Sequence, residues 1–330
     1  MNQTGPTPKF QTSIGRLFFM GVLSILFCLS GFLSVFTPLP VGISSLLFGR
    51  GMAIGLALVA SAVFFTIIQK LSSDMTVGNL SFGYFFMLYM IVGVSLSEII
   101  HRKLHPIRGV LWVGGLIIAF IGLCLWGYLA SQNLSLHEFV LGHVQEFSKT
   151  LEGSLAEVKK TNYEGAQEIE TLIKQPEILV NKIITTGPGY FIVGIYALTW
   201  INMYLMLLFR RILAPQKAGY SEKSLLKFKV PEKFIFGVIL GLVMVVLGGQ
   251  IGQNVVDLGY FLLMVLGVFY FFHGIGIYLE FLDYVRITGF LRSILIVLTL
   301  LTAYQLIALI GVFDMFVNFR KFFKRKNNNN

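Results

Sequence analysis

The sequence predicts an all-α fold, a polytopic transmembrane helix bundle of about eight full spans plus a half-span. Of the 330 residues, 55% are hydrophobic and only 13% are charged, roughly half the charged share of a soluble domain. Several uncharged apolar runs of about 17 to 25 residues are long enough, as helices, to cross the hydrocarbon core of a bilayer. The alternating pattern of a membrane barrel is absent, so helices are the spanning structure indicated.

The first predicted span covers about residues 17–36. It ends at Thr37-Pro38-Leu39-Pro40, because two prolines oppose a continuing helix. The segment 41–49 is too short to cross alone, so it is either a half-helix folded back into protein or the start of a bent span that continues to about residue 68. We favour a break at Gly49-Arg50-Gly51, since hydrocarbon does not tolerate an arginine well.

The remaining apolar runs complete the predicted bundle. No small-residue cleavage site follows the first run, so we interpret it as a retained span and not as a signal peptide. The further spans are expected at about 81–100, 109–130, 188–209, 234–249, 258–279 and 292–316.

Four segments follow from this pattern. Residues 1–130 form amino-terminal membrane helices, and 131–187 form an extracytoplasmic amphipathic segment with five Lys, eight Glu and apolar residues at helical spacing. A second helix of that segment is expected to stop near Pro176, with re-entry into the bilayer at Gly187-Pro188-Gly189. Carboxy-terminal membrane helices occupy 188–318, and a basic, asparagine-rich tail over 319–330 is expected to be disordered.

Loop charges predict the orientation in a bacterial inner membrane. The basic loops 101–108 and 210–233 should be cytoplasmic, which places 131–187 outside. A cytoplasmic amino terminus then requires 41–49 to count as a crossing, and that count places the basic tail outside. Two alternatives stay open: the last apolar run folds back on itself, or the amino-terminal count is wrong.

Charge, cysteines and motifs exclude several classes of function. The net charge of +10 comes from Lys and Arg in loops and tail, as in membrane topology, so no nucleic-acid partner is indicated. Cys28 and Cys124 lie inside apolar runs and form neither a disulfide framework nor a metal motif. No enzyme signature and no intramembrane Ser-His pair is visible, so we expect a non-enzyme without cofactor or metal.

Polar groups within apolar runs are the first candidates for a binding site, because their insertion is costly. His273 lies in the run 258–279, and Glu280 follows on the same helical face. Such a pair could bind a cation, relay a proton or hold a polar ligand. The alternative is a neutral imidazole bonded to a neighbouring helix, with Glu280 at the interface.

Two further candidates are weaker. Gln250, Asn254 and Asp257 share one face at the end of a span among glycines, as at unwound ends in transporters, although an ordinary polar turn would have the same pattern. Arg50 could bind an anionic group or extend to the interface. Glu98 is expected to pair with Arg102 one helical turn later.

The chain resembles the YybS-like family of uncharacterised bacterial multi-span membrane proteins. The resemblance covers most of the chain and rests on Thr37-Pro38-Leu39-Pro40 before Gly49-Arg50-Gly51, on His273-Gly274, and on Gly311-Val312-Phe313-Asp314 before Phe319-Arg320-Lys321. It implies no established activity. Many relatives have glutamine at the His273 position, so a ligand role for that residue is not inherited.

The amino-terminal half is also remotely similar to the substrate-binding components of energy-coupling-factor vitamin transporters. This similarity implies a small-solute-binding or transport subunit, with the lipid bilayer and another membrane protein or transporter subunit as partners. The alternative is a non-transporting scaffold that docks a partner through the extracytoplasmic helices.

Overall fold

The computed structural model describes residues 14–71, 77–158, 175–213 and 220–327, and every regular element in these ranges is a helix. The predicted all-α class is therefore confirmed for this part of the chain. A short 3-10 helix, Phe32–Phe36, lies between α1 and α2. The α-helices are α1 Ile14–Leu29, α2 Pro38–Phe48, α3 Arg50–Leu71, α4 Val77–His101, α5 Pro106–Gln132, α6 Leu136–Val158, α7 Pro176–Leu213, α8 Glu222–Leu226, α9 Phe234–Ile251, α10 Gln253–Tyr284, α11 Gly289–Thr302, α12 Tyr304–Val317 and α13 Phe319–Asn327.

Six of the described helices are long and apolar enough to cross a membrane, namely α3, α4, α5, α7, α9 and α10. Large apolar side chains point outward from them; on α9, for example, Phe236 is 70% exposed and Val246 is 75% exposed. An apolar surface of this kind is what a bilayer covers. The chain is a multi-pass membrane protein; the described residues contain six such helices, and the predicted count of eight spans is not confirmed.

Two predicted spans are shorter helices in the structure. The first, predicted over 17–36, is the 16-residue α1, which ends at Leu29 before Gly31 adopts a positive φ of 67°. The last, predicted over 292–316, is divided at Ala303 into two 14-residue helices, α11 and α12. The Thr302 hydroxyl donates to the Leu298 carbonyl there, a local bond that favours bending of a helix.

The prolines near residue 38 begin a helix, which corrects the prediction that they end one. Pro38 is the first residue of α2, a position where the missing N–H has no intrahelical partner to lose. The break at Gly49 is confirmed, since α2 ends at Phe48 and Gly49 has a φ of 95°. Residues from Pro38 to Leu46 are all buried, so α2 is a half-helix packed within protein.

Two more predictions concern the segment near Pro176 and the tail. Pro176 begins α7, and α7 continues through Pro188, where re-entry into the bilayer was predicted; the helix predicted to stop near Pro176 lies outside the described residues. The tail was expected to be disordered, but Phe319–Asn327 is helical. Its alternating basic and aromatic residues, FRKFFKRKN, fit a helix with two unlike faces.

The chain divides into two compact units, residues 1–115 with 196–227 and residues 116–195 with 228–330. We call them unit 1 and unit 2. The core of unit 1 joins α2, α3 and α4 through buried apolar side chains, and the rings of Phe64 and Phe86 stack there at 4.3 Å. In the same unit a Cβ on Gly93 would clash with the Pro38 carbonyl, so α4 and α2 are packed backbone to backbone.

In unit 2, α9 and α10 pack antiparallel around Gly252, which has a φ of 154°. The next helix, α11, starts beside the carboxyl end of α10, where Arg292 contacts Asp283. It then follows α10 backwards, with Tyr278 within 2.9 Å of the Thr299 hydroxyl.

The chain then returns to the end of α10 at which it started. The close neighbour of Ile307 on α12 is Gly274, and Phe323 on α13 lies against Tyr284, with ring centroids 5.4 Å apart. We call α11 and α12 the return hairpin. It accompanies less than half of the 32-residue α10, and it brings the basic helix α13 back to that helix's carboxyl end.

Candidate functional site

His273 is buried in unit 2 among neighbouring helices. Its exposed fraction is 3%, so it faces protein and not lipid. Gly274 explains how a helix comes this close, because a Cβ there would clash with the Ile307 carbonyl. Gly311 faces the Tyr270 carbonyl in the same way, so α10 and α12 are in direct backbone contact on both sides of the imidazole.

The partner of His273 is Asp314 on α12. The imidazole Nε2 lies 3.1 Å from the carboxylate Oδ2, and Asp314 is itself only 6% exposed. The N–H direction is not aligned for a hydrogen bond, and His273 Nδ1 has no hydrogen-bond partner among the described residues. The interaction is a close imidazole–carboxylate contact in which both ring nitrogens of His273 can still form a hydrogen bond.

Asp314 also fixes the start of α13. Its other carboxylate oxygen, Oδ1, accepts a hydrogen bond of 2.6 Å from the backbone N–H of Phe319. Between the two helices Asn318 adopts a left-handed conformation, with φ 53° and ψ 61°, which asparagine tolerates better than most residues. The carboxylate of Asp314 thus contacts the imidazole through one oxygen and stabilises the turn into α13 through the other.

A second polar pair lies near the first one in unit 2. Arg320 on α13 is 7% exposed; its Nε is 3.8 Å from Glu280 Oε2, and it donates to the Phe228 carbonyl at 3.4 Å. The sequence placed His273 and Glu280 on one helix face, and the structure gives each of them a separate partner from the segment 314–320. We call His273, Asp314, Arg320 and Glu280 the polar cluster.

Sequence reasoning missed Asp314 and Arg320 as site residues. The signal for Asp314 was available, because it is the only acidic residue in the apolar run 292–316 and a carboxylate in such a run is costly. Arg320 follows the run in a segment expected to be disordered. Only the turn at Asn318 brings its guanidinium back to α10.

The candidates Gln250, Asn254 and Asp257 do not form an enclosed site in the described structure. They lie at the turn between α9 and α10, where Gln250 and Asn254 are exposed. Asp257 accepts a 3.0 Å hydrogen bond from Gln253 one helical turn earlier. Their arrangement is that of a polar helix start.

Arg50 lies in a charged group of unit 1. Its Nε is 3.0 Å from Glu98 Oε2, and Glu98 also pairs with Arg102 as predicted. Arg50 is 53% exposed and Glu98 is 30% exposed, so this group lies at an accessible end of α3 and α4. Two guanidinium groups on one carboxylate leave a positive charge in excess there.

A polar contact between α2 and α4 was not predicted. His101 Nε2 lies 3.0 Å from the hydroxyl of Ser45, and Ser97 donates to the same hydroxyl at 2.9 Å. A Ser-His pair, which the motif search did not find, is therefore present in unit 1. Ser45 is only 1% exposed, so the contact joins two helices and offers no open nucleophile.

Metal chemistry finds no support in the described residues, which contain no group of three or more His, Cys, Asp or Glu side chains that could hold a metal ion. What the polar cluster can do is bind and release a proton, or contact a polar solute through the imidazole and carboxylate.

One comparison with known proteins gives a match. A family model described as "Predicted membrane protein (DUF2232)" matches residues 16–315. That range includes the amino-terminal half-helix, His273 and Asp314, and it ends before Arg320. No curated protein matches the chain, and no solved structure matches it.

Proposed function

Since the chain belongs to the DUF2232 family of predicted membrane proteins, we propose that it is a non-enzymatic subunit of the bacterial inner membrane that binds or moves a small solute. The observation that carries this proposal is the contact between His273 and Asp314, buried within apolar helices. An ionisable pair inside a membrane helix bundle is costly and usually serves a solute, an ion or a proton.

The two half-length elements support the same proposal. Both α2 and the return hairpin interrupt the membrane helices beside glycines, as broken helices do at the binding sites of secondary transporters. A purely structural bundle has no need of such breaks. The order of proline-rich break, half-helix and glycine-containing span also agrees with the proposed likeness to energy-coupling-factor binding components and to YybS-like proteins.

A topology with six crossings resolves the conflict between the loop charges. With α3, α4, α5, α7, α9 and α10 as crossings, the loops 101–105 and 214–233 and the carboxyl end of α10 fall on one side. The return hairpin keeps the basic tail on that side too, while the acidic 131–187 falls on the other. All strongly basic segments are then cytoplasmic, which favours the alternative that the last apolar run folds back.

Two measurements test the topology. An alkaline phosphatase fusion at Glu157 should be active, and a fusion after Lys326 should be inactive. An inactive fusion at Glu157 would reverse the orientation, whereas activity after Lys326 would show that the last run crosses the membrane.

Uptake measurements test the proposed role. A deletion strain should lose uptake of one solute class among vitamins, metals and nucleobases, and the purified protein should gain thermal stability with that solute. His273→Gln should retain part of the uptake, because glutamine keeps a donor and an acceptor. His273→Leu should lose it. Unchanged uptake in the deletion strain together with no thermal shift would overturn the proposal.

The scaffold alternative is favoured by one feature of the acidic segment. On α6, Phe147 is 57% exposed, and the helix is held to the start of α7 by a 3.0 Å contact between His137 and Glu177. An aromatic residue on a fixed surface helix is a suitable anchor for a partner. Deletion of 138–182 should then remove a co-purifying partner while the membrane helices stay folded. If the protein is instead a transport subunit, the same deletion should leave most of the solute uptake intact.

A further inference from the structure

We infer that the contact between His273 and Asp314 is a binding site for a single exchangeable proton, which couples protonation to the position of the return hairpin. This inference rests on the proposed function only in taking the pair to be a working site. Its ligand is a proton, whatever solute the protein carries.

The polar cluster contains two pairs of side chains that differ in their charge balance. Arg320 and Glu280 have opposite fixed charges and approach to 3.8 Å, so this pair is balanced. Among the described residues, the close polar neighbours of Asp314 are the backbone N–H of Phe319 and the imidazole of His273. With a neutral imidazole, the buried carboxylate has no cation in direct contact among these neighbours, which is unfavourable. A proton on the imidazole places a positive charge in direct contact with it.

The proton has a place to bind without displacing another interaction. His273 has no hydrogen bond among the described residues, and its Nε2 is only 3.1 Å from Asp314 Oδ2. A proton taken from water can therefore bond to the imidazole nitrogen, or to the carboxylate, with water left as the other product. Release returns it to water, and no oxidant or second reactant is needed.

Other groups near the pair oppose or permit this proton. Arg320 and Lys229 repel a protonated imidazole, whereas Asp314 attracts it. Of the two nearby tyrosines on α10, Tyr270 directs its hydroxyl to Met315 Sδ, and Tyr278 contacts Thr299. Burial and the two cations therefore oppose the proton on His273, and Asp314 favours it; a change in any of these distances changes the affinity for the proton.

Protonation is linked to the hairpin through the carboxylate. Asp314 is on α12, contacts α10 through His273, and begins α13 through Phe319. When the proton leaves, the attraction between α12 and α10 weakens, while the close backbone packing at Gly274 and Gly311 remains. The expected movement is therefore a loosening at the α12–α13 turn, not a separation of the hairpin.

Nuclear magnetic resonance of the full-length protein, labelled with 15N in its histidines and held in detergent micelles, tests the inference. Loss of one signal in His273→Gln identifies the imidazole. We expect that signal to shift with pH while the protein stays folded, and Asp314→Asn to lower the proton affinity of His273 by at least tenfold. Asparagine keeps an acceptor for the Phe319 N–H, which protects the fold. Asp314→Glu, which keeps the charge, should restore most of the affinity.

His143 is the matched control, because it is exposed on α6, outside the polar cluster, and the substitutions should leave its signal unchanged. A His273 signal that does not shift with pH while the protein stays folded would overturn the inference, and so would an equal proton affinity in wild type and Asp314→Asn. Neither result depends on the uptake measurement. The experiments can therefore show that the proton site is absent while the solute-binding role stands, or that both proposals fail.

Discussion

The two interrupted helices of this protein use the same packing but different chemistry. In unit 1, α2 lies against α4 where Gly93 meets the Pro38 carbonyl, and in unit 2, α12 lies against α10 where Gly274 meets the Ile307 carbonyl. Beside the first contact the buried polar side chains are uncharged. Beside the second one they include His273 and Asp314.

The uncharged side chains of unit 1 have a structural explanation. Asn202 on α7 is fully buried and donates to the Val35 carbonyl at 2.8 Å and to the Leu198 carbonyl at 2.9 Å. Val35 precedes Pro38, which has no N–H to offer a carbonyl of the preceding turn. The amide of Asn202 therefore stabilises the backbone where the proline interrupts it.

A hydrogen bond to backbone groups freed by a proline does not explain the carboxylate of Asp314 and the imidazole of His273 in unit 2. The turn at Ala303 has no proline, and Asp314 is eleven residues beyond it. A neutral amide could accept from Phe319 as well as a carboxylate does. The comparison indicates that a helix break alone needs only neutral groups, and that the ionisable pair in unit 2 is present for another reason.

The largest expected effect comes from leaving one member of the pair alone. His273→Leu should reduce the free energy of unfolding by about 3 to 5 kcal/mol at neutral pH, because a buried carboxylate loses its partner. The double variant with Asp314→Leu should regain most of that stability but lose about 1 kcal/mol from the missing cap on Phe319. Unfolding in mixed detergent micelles measures both.

That double variant also separates stability from function. It should fold and yet take up no solute if the pair is the working site. Full uptake by a stable double variant would show that the pair is a packing feature, like its neutral counterpart in unit 1.

The next effect concerns the glycines that both breaks share. Gly274→Ala should cost about 3 kcal/mol, at the upper end for overpacking, because its Cβ meets a backbone carbonyl that cannot move alone. Gly267→Ala on the same helix is the matched control, since nothing lies within 4 Å of its Cβ; it should be neutral or slightly stabilising. Equal effects of the two substitutions, measured as above, would mean that α10 and α12 are not in backbone contact.

A third effect should be smaller and independent of pH. Asn202→Leu removes the donor to Val35 and should cost about 1 to 3 kcal/mol, the desolvation of an unpaired carbonyl. Because no proton is involved, the loss should be the same at pH 5 and pH 8. The loss in His273→Leu should change between these values. If Asn202→Leu also showed pH-dependent stability, the division into a structural and a protonating break would be wrong.

Features of the fold and of the candidate site could be predicted from the sequence where they depend on neighbouring residues, and not where they depend on contacts between residues distant in the chain. Apolar runs and the break at Gly49 are local features, so they can be predicted from the sequence. The burial of His273 followed from the cost of an imidazole in hydrocarbon. By contrast, Pro188 lies inside α7, because a long membrane helix can absorb one missing backbone bond where neighbouring groups compensate for it.

The partner of His273 could not be assigned from sequence, because it depends on the return of the chain. A continuous span over 292–316 would place Asp314 far from His273, whereas the turn at Ala303 brings them to 3.1 Å. Composition does not distinguish these two paths, since both bury the same apolar residues. The loop charges gave one indication of the turn, because a crossing by the run 292–316 would place the basic tail outside the cytoplasm.

The smallest effect is expected in the acidic segment, where a carboxylate is exposed and still has a structural role. Glu138 accepts hydrogen bonds of 2.8 Å from the backbone N–H and from the hydroxyl of Ser135, and it donates its own N–H to that hydroxyl at 3.2 Å. This reciprocal arrangement is a capping box at the start of α6. The bond from the Ser135 backbone, followed by the one from its hydroxyl, holds the pKa of Glu138 below its usual value.

A lowered carboxyl pKa means that the cap is fully formed above the ordinary pKa of glutamate and is lost as the pH falls through the lowered value. The first turn of α6 should therefore exchange its amide hydrogens faster at about pH 3 than at about pH 6, after correction for the intrinsic rate. In Glu138→Gln the difference should disappear, because glutamine can cap without titrating. Since this group is exposed, salt and water weaken its contribution, and the unfolding of the membrane helices should not respond. An acid-induced loss of stability that persisted in Glu138→Gln and vanished in Asp314→Asn would instead place the acid-sensitive contact of the protein in the return hairpin.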